Sequence, residues 1–395
     1  MSKTSAVFMD PSRESCRRLD APGILGWMQF GDLHLTTEHG QNYQDLLALI
    51  AEANIHLTGA QGVNFAVLPG DNADAGTEEQ YVLVRRAIDH LRLPVHVLLG
   101  DHDIQSGNLG MFHRWLEPVL PKSFVAGGYR CVFLNSVGTG DAKGFGLGKH
   151  QVAWLEGELE AARKAGQRAA LFMHTYPSEL GDDARSATQL IRRHGGEVRV
   201  VAMGHTHYNE VANDGRVIYA ATRSTGQIEE GPVGFSLTCL DGDTVSWKFK
   251  ALSAPWPFVM ITAPADRDLL TAELGPVRGT VEVRARAWDG SGIARAFCRV
   301  DDGGFQPMFR TDDAAVWRWE WDSTQVADSE HRLTVRAENT AGEAGEGTVT
   351  VLCQQAGVYE PPARSPVDLA NSIGAHPDKG LLGTQLGPNK NGHPW

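Results

Sequence analysis

The chain has 395 residues, of which 42% are hydrophobic and 21% charged, a composition typical of a globular protein with room for two domains. Its formal net charge of -12 excludes a generally basic surface, which argues against nucleic acid or an anionic membrane as a partner. Five cysteines without CxxC spacing indicate reduced thiols in a cytosolic protein rather than a disulfide framework.

The amino-terminal segment 1–20 is polar and lacks the apolar core of a signal peptide. Arg17-Arg18 resembles a twin-arginine signal. However, the apolar run 23–30 that follows leads directly into Asp32 and His34, and cleavage there would remove residues that the later motifs require. No stretch approaches the roughly 18 apolar residues of a membrane span. We therefore predict a cytoplasmic protein without a membrane partner.

Strands and helices alternate from residue 24 onward, and each strand is followed by polar residues. Such alternation predicts an α/β layered fold whose site lies beyond the strand ends. Short strands follow from 217 to 249. The predicted strands are 24–30, 65–68, 95–99, 129–136, 169–172 and 198–203, and the predicted helices are 42–53, 78–91, 151–165 and 187–194.

The pattern changes near Pro255-Trp256-Pro257 to short alternating strands and turn signals, which predict a small antiparallel immunoglobulin- or fibronectin-like sandwich. The alternating Trp317, Trp319 and Trp321 indicate one buried and one exposed face, with a carbohydrate or partner platform as the alternative. Apolar residues in the carboxy-terminal tail suggest that it packs on the body. The predicted domains are a polar arm 1–20, a catalytic domain 21–254, a β-sandwich 255–354 and a tail 355–395.

Five predicted strands end in carboxylates or imidazoles. Carboxylate oxygen combined with imidazole nitrogen suits borderline divalent metals such as Mn, Fe, Co, Ni or Zn, and the lack of cysteine ligands argues against a structural zinc knot. The number of ligands predicts two ions that share a carboxylate, an arrangement that clamps both oxygens in phosphoryl displacement. The segments are Asp32-Leu33-His34, Gly70-Asp71, Gly100-Asp101-His102-Asp103, His174 and Gly204-His205-Thr206-His207.

In this order the segments resemble the pattern DxH, GD, GNH[D/E], H and GHxH of the calcineurin-like metallophosphoesterase family, over roughly the first two thirds of the chain. The resemblance implies a four-layer αββα sandwich and hydrolysis of a phosphoester by a metal-bound hydroxide. It implies that His102 protonates the leaving group as general acid and that Asp103 orients His102 and keeps it cationic. By position it implies Asp32, His34 and His207 for the first ion, Asp71 as the bridge, and Asp101, His174 and His205 for the second.

Asp101 departs from the family pattern, which has asparagine at this position. The extra negative charge is expected to weaken the attraction of a dianionic monoester relative to a monoanionic diester. We therefore predict a small phosphodiester substrate, with cyclic nucleotides and glycerophosphodiesters as the classes that the resemblance implies. A phosphomonoesterase acting on nucleotides or phosphoproteins is the alternative. Asp74 stands where purple acid phosphatases carry a ligand tyrosine, so a charge-transfer iron site is not expected.

A binding scaffold is the alternative from another class, because some members of this fold have lost their ligands and serve as protein adaptors. The complete ligand set argues against that role, and the oligomeric state is left open. The glycine-rich segment 144–149 lacks Walker spacing and is interpreted as a rim. Loops 105–124 and 138–150 are expected to shape the pocket. The predicted substrate contacts are Asn108, His113, Tyr176 and Tyr208, with packing as the alternative for the two tyrosines.

Overall fold

The computed structural model describes residues 23–59, 62–107, 109–117, 119–137, 144–227, 231–312, 315–360 and 381–382. The helices are α1 (Gln41–His56), α2 (Glu78–Ile88), α3 (Leu109–Trp115), α4 (Gly148–Lys164) and α5 (Ala184–Arg193). The strands that alternate with them are β1 (Leu25–Gln29), β2 (Phe65–Leu68), β3 (Val95–Val97), β4 (Lys122–Ala126), β5 (Tyr129–Phe133), β6 (Ala169–Phe172), β7 (Val198–Met203), β8 (Glu210–Asn213), β9 (Ile218–Ala221), β10 (Gly234–Asp241) and β11 (Thr244–Ala251).

These strands form two mixed sheets. The first has the order β11-β10-β1-β2-β3, and β1, β2 and β3 run parallel to one another. The second has the order β20-β8-β9-β7-β6-β5-β4, in which β20 is Leu381–Leu382 and in which β5, β6, β7 and β9 are parallel. The parallel strands of each sheet therefore end at a common edge.

Helices cover the outer face of each sheet. Helix α1 buries Leu46 and Ile50 against the first sheet, and α4 buries Leu155 against the second. Aromatic rings fill the space between the sheets: Phe133 and Phe172 stack at 4.4 Å between centroids. Burying each such ring contributes about 1.5–3 kcal/mol. The result is the four-layer order of helices, sheet, sheet and helices, which confirms the predicted α/β fold class.

The segment 105–124 differs from the prediction of a pocket loop, because it contains α3 and the start of β4. Helix α3 has a local reason to form, since Phe112 is fully buried against Tyr81 of α2 with the two rings 6.2 Å apart. In the predicted tail, β20 pairs antiparallel with β8. The predicted arm 1–20 lies outside the described residues. None of the helices given above has both the length and the apolarity needed to cross a bilayer.

The carboxy-terminal part is a sandwich of two antiparallel sheets. Trp317 and Trp321 are each 5% exposed in its core, and Trp319 packs against that core. The tryptophans therefore face inward, and the alternative of a carbohydrate platform is wrong. The strands are β12 (Phe258–Ala263), β13 (Thr280–Trp288), β14 (Ile293–Val300), β15 (Gln306–Pro307), β16 (Phe309–Arg310), β17 (Val316–Asp322), β18 (Glu330–Asn339) and β19 (Ala344–Leu352), in sheets ordered β12-β13-β17-β16 and β15-β14-β18-β19.

The sandwich contacts the end of the first sheet at which β1 and β2 begin. Arg286 Nη2 donates a 2.7 Å hydrogen bond to the carbonyl of Gly62, just before β2. The backbone N–H of Gly290 donates to Nδ1 of His56, the last residue of α1, at 2.8 Å. Both contacts lie at the opposite end of the sheet from the carboxyl ends of β1 and β2. These contacts brace the first sheet at the end where β1 and β2 begin.

His96 of β3 makes the stability of the fold dependent on pH. Its Nδ1 lies 3.1 Å from Lys122 Nζ. Burial, and then the charge of Lys122, lower the pKa of His96 from 6.5 to about 3. Between these two pKa values the unfolded chain takes up a proton that the folded chain does not, so the free energy of unfolding decreases as pH falls, by about 1.4 kcal/mol per pH unit.

We expect His96→Gln, which cannot titrate but can still accept from Lys122, to remove this contribution. Between pH 6.5 and pH 5 the wild type should lose about 1.6 kcal/mol more than the variant, because the unfolded histidine is already half protonated at pH 6.5. Urea unfolding of the metal-free protein at both pH values measures the difference. If the free energy of unfolding fell equally in the two proteins, His96 would have to take up its proton in the folded state over this pH range.

Candidate metal centre

The predicted site residues follow the carboxyl ends of parallel strands. Asp32 and His34 come after β1, Asp71 after β2, His174 after β6, and His205 after β7. Because these strands run parallel within each sheet and the sheets pack face to face, their ends meet at one edge of the sandwich. The fold thus brings together side chains that are far apart in the sequence.

At this edge the backbone adopts left-handed conformations that change the direction of the predicted ligand side chains. The described residues include five non-glycine residues with positive φ, and four of them are predicted ligands: His34 at 42°, Asp71 at 49°, His205 at 69° and His207 at 63°. The left-handed region costs energy for such residues and is concentrated at functional sites. The fifth, Asp301, lies in the β-sandwich.

Three motif glycines leave room for the predicted ligands. A Cβ at Gly204 would lie 2.3 Å from Asp32 Oδ1, and one at Gly100 would lie 2.1 Å from Asp71 Oδ1. A Cβ at Gly70, where φ is 121°, would lie 2.3 Å from His174 Nδ1. Any larger residue would displace a carboxylate or an imidazole, so close approach explains why glycine precedes the acid or histidine in these segments.

The first cluster consists of Asp32, His34, Asp71 and His207, whose ligand atoms lie within 4.8 Å of one another. The Nε2 atom of His34 lies 3.1 Å from Nε2 of His207 and 3.6 Å from Oδ2 of Asp71. Nε2 of His207 lies 3.6 Å from Oδ2 of Asp32. Two imidazole nitrogens and two carboxylates therefore converge on one point.

The second cluster consists of Asp101, His174 and His205. Oδ1 of Asp101 lies 3.3 Å from Nε2 of His174 and 3.6 Å from Nδ1 of His205. Oδ1 of Asp71 lies 3.6 Å from the same Nε2 of His174. Asp71 therefore faces the second cluster with one oxygen and the first with the other, which is the arrangement that a bridging carboxylate requires.

The buried polar atoms of these clusters fit a cation. Oδ1 of Asp32 is buried and has no hydrogen-bond partner among the residues that the structure describes. Burial raises the pKa of Asp32 well above its usual value, since no positive charge compensates it fully. Burial, with the nearby His207 and His102, lowers the pKa of His34 to about 3, which leaves a neutral imidazole with a lone pair to donate.

The second cluster attracts positive charge as well. Burial alone would lower the pKa of His174, but Asp71 and Asp101 outweigh it and raise that pKa to about 10. The same contacts with His174 outweigh burial and hold the pKa of Asp101 at about 2. A bound divalent cation would take over the role of that proton, because metal ligands bind in their deprotonated forms.

His102 lies beside both clusters, but Asp103 does not orient it. The backbone N–H of His102 donates to Oδ1 of Asp71 at 2.9 Å, and its Nδ1 contacts the carbonyl oxygen of Asp74 at 2.7 Å. The fully buried Asp103 instead accepts from the backbone N–H groups of Ala73 at 2.9 Å and Gly100 at 3.0 Å. The predicted orienting role of Asp103 is therefore wrong. The two residues lie in one 3-10 turn, which directs consecutive side chains apart, and Asp103 braces the two ligand turns.

The predicted substrate contacts have different outcomes. Tyr176 is 1% exposed and its hydroxyl donates to Glu210, so its predicted substrate contact is wrong and packing is the correct reading. His113 lies in α3, with Nδ1 2.8 Å from the carbonyl oxygen of Glu117. His113 and the half-buried Tyr208 remain predicted contacts. Asn108 lies outside the described residues.

Sequence reasoning missed two residues at the clusters. The ring of Phe145, in the glycine-rich segment, meets the ring of His205 edge-on at 4.8 Å between centroids. Gln227, on the loop after β9, lies 3.2 Å from Nδ1 of His34 through its Nε2. No motif marks Gln227, whereas Phe145 could have been noticed as the aromatic residue in an otherwise glycine-rich segment.

Comparisons with known proteins agree with this architecture. Residues 28–209 match the family model described as calcineurin-like phosphoesterase, and residues 257–335 match the one described as bacterial Ig domain. A dimetal phosphatase from Danio rerio shares the fold with a TM-score of 0.50 at 13% identity, covering 58% of this chain and 96% of that one.

Two curated relatives are similar in sequence. The chain is 29% identical over 163 residues to the glycerophosphodiester phosphodiesterase GpdQ of Enterobacter lignolyticus, covering 36% of this chain and 55% of the relative. It is 26% identical over 161 residues to a probable glycerophosphodiester phosphodiesterase GpdQ of Arcobacter nitrofigilis, covering 39% and 58%. The chain thus spans little more than half the length of either relative. Both clusters lie in the region that matches the calcineurin-like phosphoesterase model, and the region that matches the bacterial Ig domain model follows it.

Proposed function

We propose that this protein is a hydrolase of small phosphodiesters that uses two divalent cations. The observation that carries the proposal is the position of Asp71, whose two carboxylate oxygens face two separate clusters of carboxylates and imidazoles. We assign Asp32, His34 and His207 to one cation and Asp101, His174 and His205 to the other, with Asp71 between them. Two bound cations would activate a water molecule and neutralise the charge that develops on the phosphate.

The protein's own groups hold this arrangement in place before substrate binds. The left-handed backbone at His34, Asp71, His205 and His207 directs their side chains inward. Asp32 Oδ2 accepts the backbone N–H of His205 at 2.8 Å, which links a ligand turn of the first sheet to one of the second. Such preorganisation favours the transition state because the groups need not reorient as charge develops.

His102 is the group we assign to proton transfer. The carbonyl oxygen of Asp74 can only accept, so Nδ1 of His102 carries a proton and Nε2 is left to act on the substrate. His102 is 28% exposed, which allows contact with a bound ester. In the cationic form of His102, Nε2 also carries a proton; it gives that proton to the oxygen of the departing alcohol and is left with a lone pair, while Nδ1 keeps its own proton throughout.

The preference for a diester rests on Asp101, which adds a carboxylate to the second cluster. Its side chain is 43% exposed, so its charge lies at the open side of the site. A monoester brings one more negative charge than a diester and is therefore repelled more strongly. The curated relatives described above are named as phosphodiesterases, which supports the same substrate class.

Asp101→Asn should shift the enzyme toward monoesters. Removing one unit charge a few ångström from the phosphate is expected to change the ratio of kcat/KM for monoester to that for diester by about tenfold, or about 1.4 kcal/mol. Bis(4-nitrophenyl) phosphate and 4-nitrophenyl phosphate, assayed at saturating Mn²⁺ or Zn²⁺, give this ratio.

A matched control is Asp182→Asn, which removes the same charge from an exposed position in the turn Gly181–Asp183. Its ratio should equal that of the wild type. An unchanged ratio in Asp101→Asn would show that the carboxylate does not set the preference. Wild-type protein that binds these metals yet turns over neither ester would contradict the proposed hydrolase and favour a binding scaffold.

A further inference from the structure

Asp74 contacts two imidazoles of the site through different groups. Its carboxylate Oδ1 lies 3.4 Å from Nδ1 of His34, and its backbone carbonyl lies 2.7 Å from Nδ1 of His102. Its own backbone N–H donates to the carbonyl of Leu35 at 3.2 Å, which ties the residue to the turn that follows β1. Asp74 therefore faces Nδ1 of His34, a predicted metal ligand, and also Nδ1 of His102, the predicted general acid.

Gln227 holds the carboxylate of Asp74 from the other side. Its Nε2 lies 3.3 Å from Oδ1 of Asp74, as well as 3.2 Å from Nδ1 of His34. The amide N–H of Gln227 and the Nδ1–H of His34 are both donors, so Oδ1 of Asp74 is the acceptor that the two share, and the contact with Gln227 orients the carboxylate. Gln227 reaches this position although 153 residues separate it from Asp74.

The loop that carries Gln227 is fixed to the first ligand turn. The backbone N–H of Gln227 donates to Oγ of Ser224 at 2.8 Å, and that hydroxyl donates to the carbonyl of Asp32 at 2.8 Å. Between them, a Cβ at Gly226 would lie only 2.0 Å from the carbonyl oxygen of Leu33. Gln227 is therefore presented to His34 by backbone packed directly on the ligand turn.

The chemistry of a neutral imidazole links these contacts to metal binding. Such a ring has one N–H and one lone pair, so a proton on Nδ1 leaves the lone pair on Nε2. Nε2 of His34 is the nitrogen that faces Asp71 and His207. A carboxylate that accepts the N–H of the non-ligating nitrogen of a histidine fixes the tautomer and the ring orientation and makes the ligating nitrogen more basic.

We propose that Asp74 and Gln227 are positioning residues of the first cluster, in which Gln227 orients the Asp74 carboxylate and that carboxylate holds the Nδ1 proton of His34. The backbone carbonyl of Asp74 independently holds the Nδ1 proton of His102. This inference rests on the proposed function in that it requires a cation at the first cluster. Nδ1 of His102 lies 2.7 Å from the backbone carbonyl of Asp74 and 3.9 Å from its carboxylate Oδ1, so side-chain substitution of Asp74 removes the contact with His34 and leaves the closer contact with His102 in place.

Calorimetric titration of the metal-free full chain with Mn²⁺ tests the first task. In Asp74→Ala one class of binding site should weaken by about 10- to 100-fold, the usual effect of losing such a partner, while the other class stays within threefold of the wild type. Asp74→Asn, whose amide oxygen can still accept from Nδ1, should weaken it less. Gln227→Leu should weaken the same class in the same direction.

The control is Glu79→Gln, which removes one negative charge from an exposed residue in the first turn of α2, close in sequence to Asp74. It should bind Mn²⁺ like the wild type. Unchanged affinities in Asp74→Ala would overturn the proposal. Equal weakening of both classes, with a lowered Tm, would also overturn it by showing a purely structural role.

The second task is tested at saturating Mn²⁺ by comparing aryl phosphodiesters with leaving groups of different pKa. Asp74→Ala should keep the wild-type dependence of kcat on leaving-group pKa, because the carbonyl contact with His102 remains. A changed dependence would overturn the claim that the two tasks are separate. If the wild type binds two Mn²⁺ but hydrolyses no ester, the proposed function fails while the titration still decides the role of Asp74 in metal binding.

Discussion

Replacing Asp71 by asparagine is expected to reduce kcat/KM for a phosphodiester by about 10³-fold or more, equivalent to about 4 kcal/mol of transition-state stabilisation. Asp71 is 2% exposed and is the residue that faces both clusters. An amide has one good acceptor oxygen in place of two anionic ones, so neither cation would be held as before. The side chain would still fit, because asparagine tolerates the left-handed backbone of this position.

The same substitution should leave the metal-free protein as stable as the wild type or more stable. Asp71 is a carboxylate buried beside other acids, and its charge raises the pKa values of both Asp32 and Asp103. Neutralising it removes that repulsion, which offsets the loss of the attraction between Asp71 and the protonated His174. Cations, by contrast, stabilise the folded wild type by about 2.7 kcal/mol at a concentration of 100 Kd, or roughly 5 °C in Tm.

Thermal unfolding with and without Mn²⁺ therefore separates function from folding. The wild type should gain several degrees on adding metal, and Asp71→Asn should gain much less from an equal or higher starting Tm. Asp301→Asn is a matched control, since Asp301 has a similar backbone, with φ of 50°, in the β-sandwich. It should keep both the metal response and the activity. A full metal response in Asp71→Asn would contradict the bridging role.

The ligand clusters could be predicted because their geometry follows from periodic features of the chain. Apolar runs mark the strands, and parallel strands in packed sheets must end at a common edge. Asp32, Asp71 and His174 therefore converge although more than a hundred residues separate the first from the last. The glycine before an acid or histidine also predicted a close approach of the backbone to the site. Only glycine allows the approach seen at Gly100 and Gly204.

Contacts that depend on the direction of a single side chain could not be predicted. Asp103 follows His102 in sequence, but the 3-10 turn directs it to the backbone of Ala73 and Gly100. Tyr176 lies two residues after His174 and still points into the interior toward Glu210. In both cases adjacency in sequence suggested a shared role, and the local backbone geometry decided otherwise.

Long-range contacts without a motif were also out of reach. The position of Gln227 depends on the packing of Gly226 against the first ligand turn. The periodicity of apolar residues in the sequence gives no indication of that packing. The β-sandwich could be predicted from its alternating strands and turns. The end of the first sheet that it contacts could not be predicted. That choice depends on specific surface contacts, such as those of Arg286 with Gly62 and of Gly290 with His56.

His102→Gln should lower kcat by about 10²- to 10⁴-fold for diesters with alkyl leaving groups, which need a proton to depart. For leaving groups such as 4-nitrophenolate, which depart readily as anions, the loss should be much smaller. Glutamine can hydrogen-bond to a phosphate oxygen but cannot donate a proton to an alkoxide. The dependence of kcat on leaving-group pKa should therefore become steeper in the variant.

Metal binding by His102→Gln should stay within a few-fold of the wild type, because the contact with Asp71 is made by the backbone N–H of residue 102, which any side chain retains. Calorimetric titration with Mn²⁺ measures this. His90→Gln, at an exposed position beyond α2, is the matched control and should change neither quantity. An equal loss for alkyl and aryl leaving groups would mean that His102 stabilises charge on the phosphate without transferring a proton. A large loss of metal affinity would instead show that His102 is a metal ligand, and it would then have to be assigned to one of the two clusters.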